Sequence, residues 1–571
     1  MTPARGTDAK PAIVRGAPLG DEPGLGALTL PGYLAEVTTR FAPCLAVAAP
    51  LGKTSERWTY AELWSRAVEV ARALAALGVG KDGRVGILMT NRPEWLSAFF
   101  GTELAGAVAV PLSTFCTISE LGHLLGASCV SVLIFEGQVL GKSFSAMLAE
   151  LEPAIAARAP GRLQSIRFPF LRHLVSVDGE AGGRVESWPG FLANGSSTGD
   201  ALIEATADNV LPTDAAAIFF SSGSTARPKG ILNSQRGIAI QLWRWGRMFD
   251  LGNDARAWTP NGFFWSGNFG MVIGGTFSRG GAVILQPTFL PAESLSLMEA
   301  ERVNFPMVWP HQSKQLEEAA NWSEVDLGAM RYVDPSTPLG RHPAIPPTGF
   351  KEPQCAYGST ETFTITTAFP RGTPGAEGPS KGEVLPGNTL KIVDPDSGRT
   401  LCRDESGEIA VKGPTLMLGY LGVPVEEALD GEGFYRTGDG GRLDDAGRLF
   451  FEGRLSTIIK TGGANVSPLE IEGVLEAFPG VKAARAIGVP DDLLGEMVVG
   501  CVVPLEGFGI DTAAIQAFAR ERLAGYKVPR TILLLSADDV AFTGSAKIRQ
   551  DELRKLAIER LANQQASLRA P

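Results

Sequence analysis

Segments with helical periodicity alternate with short apolar runs in the first part of the chain. The stretch YAELWSRAVEVARALAALGV (60–79) has apolar residues at helical spacing, and RVGILMTN (84–91) follows it as an apolar run. Residues 94–112 repeat the pattern, and CVSVLIFEG (129–137) adds another run. Helices that alternate with buried strands are typical of a parallel sheet covered by helices. The sequence therefore predicts an α/β fold.

The length predicts more than one domain, because 571 residues exceed the size of an ordinary single core. Near residue 387 the pattern changes to short strands and turns, which favours a small antiparallel β unit. The final stretch of about 100 residues could form a separate small α/β domain. We expect a flexible N-terminal arm (1–27), a large domain of doubly wound α/β subdomains with the antiparallel unit (28–454), and a small mobile α/β domain (455–571).

The composition argues against several classes of function. The net charge is −10, which disfavours a nucleic-acid partner. No apolar run is long enough for a transmembrane segment, and the N-terminus lacks the apolar region of a secretory signal. The six cysteines form no C-x-x-C pair, and the four histidines show no metal spacing. We expect a cytoplasmic protein without a zinc site or a disulfide framework.

The segment IFFSSGSTARPKGI (218–231) is typical of a phosphate-binding loop. Its small residues let the backbone approach an anion, and Lys229 adds a positive charge. The apolar run before it predicts a buried strand that delivers the loop. The Walker pattern fails, because Pro228 takes the place of its second glycine and Gly230 follows Lys229. A polar surface turn between a strand and a helix is the alternative.

Four further motifs follow the loop in order. CAYGSTETF (355–363) sets an aromatic ring beside a hydroxyl and a carboxylate, and YRTGDGG (435–441) places an Asp on a glycine turn. GRLSTIIKTGGANVSPLEIE (453–472) ends in a Pro and acidic residues, and FTGSAKIRQDEL (542–553) carries one Lys in a Gly/Ser turn. Together the five motifs resemble the acyl-adenylate-forming superfamily, and most of all its acyl-CoA synthetases, the AMP-dependent ligases. The resemblance extends over most of the chain, and five motifs in order make it specific.

The resemblance implies contacts to ATP and Mg²⁺. Tyr357 would stack on adenine, Asp439 would accept hydrogen bonds from the ribose hydroxyls, and Arg454 would reach the ribose or a phosphate. Thr360 would bind a phosphate oxygen, and Glu361 would hold Mg²⁺, a hard cation that prefers carboxylate oxygen. The remaining implied cofactor-binding residues are Ser221, Ser222, Gly223, Ser224, Thr225 and Lys229 in the phosphate loop, with Gly358 and Gly463 elsewhere.

The resemblance also implies a two-step reaction. Lys547 matches the family's mobile lysine, which would bridge the substrate carboxylate and the α-phosphate and offset their repulsion together with Mg²⁺. Lys547, Glu361 and Thr360 would thus be the catalytic residues. The thiol of coenzyme A would then attack the acyl adenylate and release AMP. Between the steps the small domain would turn about a hinge near Ser456, bringing the KTGGANVSP segment in as the lining of a thiol channel.

The acyl pocket is predicted from TPNGFFWSGNFGMVIGG (259–275), with Phe264, Trp265 and Phe269 as substrate-facing residues. Trp265 stands where the family often has His. Plain core packing is the alternative for each of these aromatic residues. No Asp lies at 233–244 or 263–269 to bind an α-amino group. We therefore expect a hydrophobic carboxylic acid, whether fatty, aromatic or polycyclic, rather than an amino acid.

Four positions depart from the family's pattern. Ala226 and Ala546 stand where the family usually has Gly, Gln235 stands for His, and Ser456 stands for Asp or Lys. An added methyl group narrows the backbone conformations that a loop can adopt. Two interpretations stay open: drift with preserved activity, or an enzyme with weakened adenylation that transfers the acyl group of a supplied adenylate.

Two further alternatives concern the partner and the class of protein. A stand-alone adenylation enzyme would load the phosphopantetheine of a separate carrier protein, and a non-catalytic relative would only bind nucleotide. The presence of Glu361, Asp439 and Lys547 argues against the second alternative. The sequence also leaves open a homodimer and a partner enzyme that supplies the adenylate.

Overall fold

The computed structural model describes residues 10–50, 55–157, 162–178, 182–221, 228–350, 356–369, 380–455, 459–466, 468–536 and 550–569. The helix expected over residues 60–79 is α2 (Tyr60–Ala76). It begins at a capping box, in which the Thr59 hydroxyl accepts from the amide of Glu62 and the Glu62 carboxylate accepts from the amide of Thr59.

A mostly parallel sheet of eight strands forms one layer of the large domain. Its order is β10 (Val185–Ser187), β9 (His173–Ser176), β6 (Val132–Phe135), β4 (Arg84–Leu88), β5 (Val108–Pro111), β11 (Ala215–Ser221), β12 (Lys229–Ser234) and β20 (Gly419–Tyr420). The strands from β10 to β11 pair in parallel, whereas β12 is antiparallel to both β11 and β20. The apolar run before the phosphate loop is therefore β11, as expected, and Lys229 begins β12.

A second sheet of five strands forms another layer. Its order is β15 (Phe305–Pro306), β13 (Arg256–Trp258), β14 (Ala282–Ile284), β2 (Leu45–Ala49) and β3 (Glu56–Thr59), and only the β2–β3 pair is antiparallel. Residues of α1 (Leu30–Arg40), α2, α3 (Pro93–Leu104) and α8 (Gln235–Met248) share the largest buried cluster with strands of both sheets. Helices packed against two sheets confirm the predicted α/β class.

The other regular elements of the large domain are short. The helices are α4 (Ile118–Ser128), α5 (Phe144–Leu151), α6 (Trp188–Asn194), α7 (Asp200–Asp208), α9 (Ser266–Asn268), α10 (Gly275–Phe277), α11 (Pro291–Ala300), α12 (Pro310–Glu317) and α13 (Val425–Ala428). A π-helical turn (Phe269–Gly274) joins α9 to α10. Two small two-stranded antiparallel sheets pair β7 (Gln138–Val139) with β8 (Lys142–Ser143) and β16 (Thr367–Ala368) with β17 (Glu383–Val384).

The antiparallel unit expected near residue 387 is a five-stranded sheet. It is ordered β1 (Ile13–Arg15), β18 (Thr389–Val393), β19 (Gly407–Lys412), β21 (Tyr435–Leu443) and β22 (Leu449–Arg454), with every neighbouring pair antiparallel. Asp439 pairs with Arg454 across β21 and β22. This register places two predicted ribose contacts side by side.

The flexible arm predicted over residues 1–27 is wrong for residues 10–27, and residues 1–9 lie outside the described part of the chain. Strand β1 completes the antiparallel sheet by pairing with β18. Glu22 is 6% exposed in its side chain and accepts from Nε and Nη2 of Arg244 at 2.9 and 2.7 Å. Arg244 is itself only 2% exposed, so it needs a carboxylate that this N-terminal segment supplies.

The C-terminal part has a sheet and an apolar core of its own. Its strands are β24 (Ala464–Val466), β23 (Ile459–Thr461), β26 (Gly495–Pro504), β25 (Val481–Asp491) and β27 (Thr531–Leu534), and its helices are α14 (Pro468–Glu476), α15 (Thr512–Arg520) and α16 (Gln550–Arg569). Two apolar clusters consist only of residues from this part. Its predicted boundary at residue 455 and its mobility stay predictions.

Two further observations concern predicted absences. The cysteines at 44, 116, 129, 402 and 501 carry free thiols, while Cys355 lies outside the described residues. Within the stretches that the structure describes, the helices are too short or too polar to cross a lipid bilayer.

The ion pair between Glu22 and Arg244 yields a stability prediction. Glu22→Ala leaves a buried guanidinium without its carboxylate, so we expect the free energy of unfolding to fall by about 3 kcal/mol or more. Asp21→Ala is the matched control, because the neighbouring Asp21 is exposed. Urea denaturation of both variants measures the effect. Equal midpoints for the two variants would show that the Glu22–Arg244 ion pair does not stabilise the fold.

Candidate active site

One cleft of about 1080 Å³ lies where the mostly parallel sheet, the antiparallel sheet and the small domain meet. The predicted site residues that line it are Ser221, Lys229, Trp265, Tyr357, Gly358, Thr360, Glu361, Asp439, Arg454 and Gly463. These residues come from five separate segments of the sequence. The fold therefore brings most of the described motif residues into one site.

Asp439 is the most buried charged group that lines the cleft and takes a central position. Its Oδ2 accepts a hydrogen bond of 2.7 Å from the Tyr357 hydroxyl, and Nε of Arg454 lies 2.9 Å from its Oδ1. Arg454 also donates through Nη1 to the Thr437 carbonyl oxygen at 2.9 Å. Oδ1 is buried, and among the described residues it accepts no hydrogen bond. Oδ1 is thus ion-paired with Arg454 but keeps the capacity to accept a hydrogen bond from a ligand hydroxyl.

The pKa shifts at this cluster follow from burial. Burial raises the pKa of Asp439, and the positive charge of Arg454 opposes that shift. Burial, and then the nearby Asp439 charge, raise the pKa of Tyr357 well above its ordinary value. The phenol therefore keeps its proton and donates a hydrogen bond to the carboxylate.

The loop from Tyr357 to Ile365 is strained and is held from behind by α8. Phe363 and Thr364 have φ angles of 41° and 88°, which side chains with a Cβ rarely adopt. Nε1 of Trp245 donates to Thr364 Oγ1 at 3.0 Å, and Nε2 of Gln241 donates to the Ile365 carbonyl oxygen at 2.6 Å. These bonds fix the turn that presents Thr360 and Glu361.

Gly358 cannot be replaced without moving this loop. A Cβ at Gly358 would lie 1.8 Å from the Thr364 carbonyl oxygen. The glycine of the CAYGSTETF motif is therefore required by the close approach of two backbone segments, in addition to any contact with a nucleotide.

Tyr420, which the sequence analysis missed, holds Glu361 and is itself in contact with Tyr435. The Tyr420 hydroxyl donates to Glu361 Oε1 at 2.9 Å and lies 3.0 Å from the Tyr435 hydroxyl. Nζ of Lys229 lies 5.1 Å from the centre of the Tyr420 ring. Burial, and then the charge of Glu361, raise the pKa of Tyr420, so its hydroxyl stays protonated. Sequence offered no signal for Tyr420, because only the pairing of β20 with β12 brings it to the cleft.

The three aromatic residues predicted to face the substrate occupy different places. Trp265 lines the cleft, as expected. Phe264 lies behind it, 5.4 Å from the Trp265 ring, and lines a second cavity instead. Phe269 is fully buried and packs 4.4 Å from Phe99, ring centre to ring centre. The prediction that Phe269 contacts substrate is therefore wrong in this structure, because its π-helical turn points the ring into the core.

Several predicted positions lie outside the described residues: Ser222, Gly223, Ser224, Thr225, Ala226, Ser456, Ala546 and Lys547. The fourth departure, Gln235, is described and buried. Its Nε2 donates to Glu103 at 2.7 Å, and its Oε1 accepts from the amide of Leu30 at 2.8 Å. Gln235 thus joins three helices in the core and lies away from the cleft lining.

The hairpin of β23 and β24 closes one end of the cleft. Gly463 has a φ of 80°, and a Cβ there would lie 2.9 Å from the Trp309 ring. A second cavity of about 420 Å³ begins at this hairpin. It is lined from the large domain by Phe264, Trp265 and His311 and from the small domain by Gly462 and Tyr526. Trp265 borders both cavities.

Comparison with known proteins gives a consistent result for sequence and structure. The family model described as AMP-binding enzyme matches residues 38–421, and the AMP-binding enzyme C-terminal domain matches residues 470–547. In structure, the chain is similar to an amide bond synthetase from Marinactinospora thermotolerans, with a TM-score of 0.71 and 25% identity over 92% of this chain and 99% of that one.

Two curated relatives are ligases of coenzyme A by name. A feruloyl-CoA synthase from Amycolatopsis sp is 32% identical over 87% of this chain and 93% of its own length. A 3-[(3aS,4S,7aS)-7a-methyl-1,5-dioxo-octahydro-1H-inden-4-yl]propanoyl:CoA ligase from Mycobacterium tuberculosis is 32% identical over 88% of this chain and 94% of its own length. Together with the cleft, these matches show that the chain belongs to the AMP-binding enzyme family, as an adenylate-forming enzyme of the acyl-CoA synthetase type.

Proposed function

We propose that this enzyme activates a hydrophobic carboxylic acid with ATP and Mg²⁺, and then transfers the acyl group to coenzyme A with release of AMP. The observation that carries the proposal is the convergence of Lys229, Tyr357, Glu361, Asp439 and Arg454 on one cleft. The names of the two curated ligases support coenzyme A as the acceptor.

The nucleotide would lie between the Tyr357–Ile365 loop and the antiparallel sheet. Asp439 Oδ1, which is ion-paired with Arg454 but accepts no hydrogen bond from the described residues, suits a ribose hydroxyl, because a fixed carboxylate makes a strong charge-assisted hydrogen bond. Arg454 reaches the same place and would bind ribose or phosphate. Tyr357 would supply its ring face to adenine. Ser221 and Lys229, at the two ends of the phosphate loop, would contact the β- and γ-phosphates.

Glu361 suits Mg²⁺, which takes few protein ligands when phosphates and water complete its shell. Within the described stretches, no group of three or more His, Cys, Asp or Glu residues could hold a metal by itself. The single carboxylate of Glu361 fits a Mg²⁺ ion whose other ligands are phosphate oxygens and water. When bound, Mg²⁺ would supply positive charge to the phosphate oxygens. Tyr420 would orient the Glu361 carboxylate, and Thr360 would donate to a phosphate oxygen.

The acid would lie against the apolar wall of the cleft. Trp245, Trp265, Met271, Met307 and Trp309 line that wall. Large flat rings and flexible thioethers favour a bulky apolar acid. The feruloyl and octahydroindenyl names of the relatives support an acid that carries rings.

The small domain would serve both steps in turn. In the described arrangement Gly463 and Lys460 line the cleft, and the second cavity reaches it beside Trp265. We propose that this arrangement is the one for thiol transfer and that the second cavity is the thiol channel. Lys547 would enter the cleft for adenylation, after a rotation about the segment near Ser456.

The alternatives are outcomes of one experiment. The enzyme is incubated with ATP, with one acid from a panel of fatty, aromatic and polycyclic acids, and with one acceptor. The acceptor is coenzyme A, a phosphopantetheinyl carrier protein or an amine, and mass spectrometry identifies the products. An amine is included because the structural relative is an amide bond synthetase. Acyl-CoA as the main product supports the proposal, and acyl carrier protein or amide as the main product overturns it. Cytoplasmic localisation and a homodimer stay predictions.

Lys547 separates the two steps. We expect Lys547→Ala to lower adenylate formation by about a hundredfold or more, because the carboxylate and the α-phosphate lose their shared cation. Transfer from a synthetic acyl adenylate to coenzyme A should change little. Pyrophosphate release and thioester formation measure the two steps. Equal loss in both contradicts the assignment. A wild-type enzyme that transfers well but adenylates poorly would establish the transferase-biased alternative.

Asp439 is expected to set nucleotide affinity. Asp439→Asn keeps the size of the side chain but removes its charge, so AMP and ATP should bind about tenfold or more weakly. Asp404→Asn is the control, since Asp404 pairs with Arg442 of the same sheet without lining the cleft. Titration calorimetry measures both variants. Unchanged affinity in Asp439→Asn would refute the ribose contact.

Trp265 is expected to control the choice of acid. Trp265→Ala enlarges the cleft beside the apolar wall, so the ratio of kcat/KM between bulky and small acids should rise by about tenfold. Phe269→Leu is the control, because Phe269 lies in the core; it should lower stability and leave that ratio unchanged. The same acid profile in Trp265→Ala and wild type would assign Trp265 a purely structural role.

A further inference from the structure

A buried lysine of the small domain contacts the large domain. Lys527 is 3% exposed, and its Nζ lies 3.0 Å from Glu120 Oε1 and 2.7 Å from Glu470 Oε1. Glu120 lies in the first turn of α4 in the large domain, whereas Glu470 lies in the first turn of α14 in the small domain. One ammonium group thus joins the two domains. We call Lys527, Glu120 and Glu470 the clasp.

The large-domain side of the clasp is held rigidly. Thr117 and Glu120 form the capping box of α4, in which Glu120 Oε2 accepts from the amide of Thr117 at 2.9 Å. The other oxygen of Glu120 is thereby directed to Lys527. The Thr117 hydroxyl also lies 3.4 Å from the carbonyl oxygen of Arg522 in the small domain. The start of α4 is therefore a docking point for the small domain.

The clasp is directly connected to the second cavity. Lys527 ends the 3₁₀ turn Gly525–Lys527, and both Gly525 and Tyr526 line that cavity. The Tyr526 ring packs edge-on against Trp265, with ring centres 6.0 Å apart. Because Tyr526 and Lys527 are neighbours, fixing Lys527 fixes the wall that the small domain contributes to the cavity.

The clasp can open without leaving a buried charge unpaired. Lys527 and Glu470 belong to the same domain, so they remain a pair when the domains separate. Glu120 remains at a helix N-terminus, where the cap and the helix dipole favour a carboxylate. Closing the clasp adds an interaction between buried charges. Removing one partner of such an interaction costs a large amount of free energy. A contact of this kind suits an arrangement that must form and break in each turnover.

We propose that Lys527 is a positioning residue for thiol transfer: the clasp holds the small domain where its wall completes the second cavity. The inference rests on the proposed function, which assigns the second cavity to the thiol. Lys527 touches neither the acid nor the nucleotide in this role. It acts through Tyr526 and the turn that carries it.

A charge swap tests the clasp. Glu120→Lys and Lys527→Glu each place like charges together, so we expect the rate of transfer from synthetic feruloyl adenylate to coenzyme A to fall about tenfold or more. Adenylate formation from ferulate should stay within about twofold, and the double variant should recover most of the transfer rate, as coupled partners do. Arg554→Glu, which breaks an exposed ion pair with Glu496 inside the small domain, is the control and should leave both steps unchanged.

Two further measurements keep the test decisive. Thermal unfolding identifies variants that fail to fold. If Lys527→Glu fails to fold, Glu120→Lys is the single variant that tests the clasp. Small-angle X-ray scattering reports the domain arrangement without any reaction, and we expect the single variants to shift from the wild-type curve and the swap to return to it. If ferulate is not a substrate, the best acid of the panel and its adenylate replace it.

The outcomes distinguish the clasp from the proposed function. Equal losses in both steps, a swap no better than the folded single variants, or unshifted scattering curves would overturn the clasp. If wild type forms no acyl-CoA from any acid, yet scattering shifts in the single variants and returns in the swap, the proposed function is wrong and the clasp still holds the domains.

Discussion

The buried carboxylate of Asp439 is the interaction on which the site depends. A charge that is 5% exposed must be paired, and its partners Tyr357 and Arg454 come from a loop of the large domain and from the neighbouring strand β22. The pairing therefore fixes the loop against the antiparallel sheet. Since one carboxylate oxygen accepts no hydrogen bond among the described residues, the same group that holds the fold together can also bind a ligand.

The loop that carries Glu361 is kept in an unfavourable backbone conformation. Two successive residues, Phe363 and Thr364, have positive φ angles, which costs about 1–3 kcal/mol for each. Hydrogen bonds from Gln241 and Trp245 on the buried helix α8 offset that cost. Strain at this point is consistent with a preorganised site, because the carboxylate is already in place before any phosphate arrives.

The small domain is attached by contacts of a different kind. Its apolar clusters are its own, and it meets the large domain through Gly463 packed on Trp309, the ring of Tyr526 and the ionic clasp. Interfaces of this kind between domains are more polar than a core and permit relative motion. A small domain with apolar clusters of its own is the physical basis for the proposal that two reaction steps share one cleft.

The sequence by itself determined the local features. Alternating periodicity predicted the α/β layers, and five motifs identified the family and nine of the residues that line the cleft. The periodicity and the motifs are both properties of short stretches of sequence, and they can be recognised without knowing which residues pack beside them. Only the tertiary structure decided that β1 completes a sheet, that Phe269 is core, and that Tyr420 holds Glu361. Each of these depends on which distant strand or helix packs beside it, and a residue's spacing along the chain carries no record of such pairings.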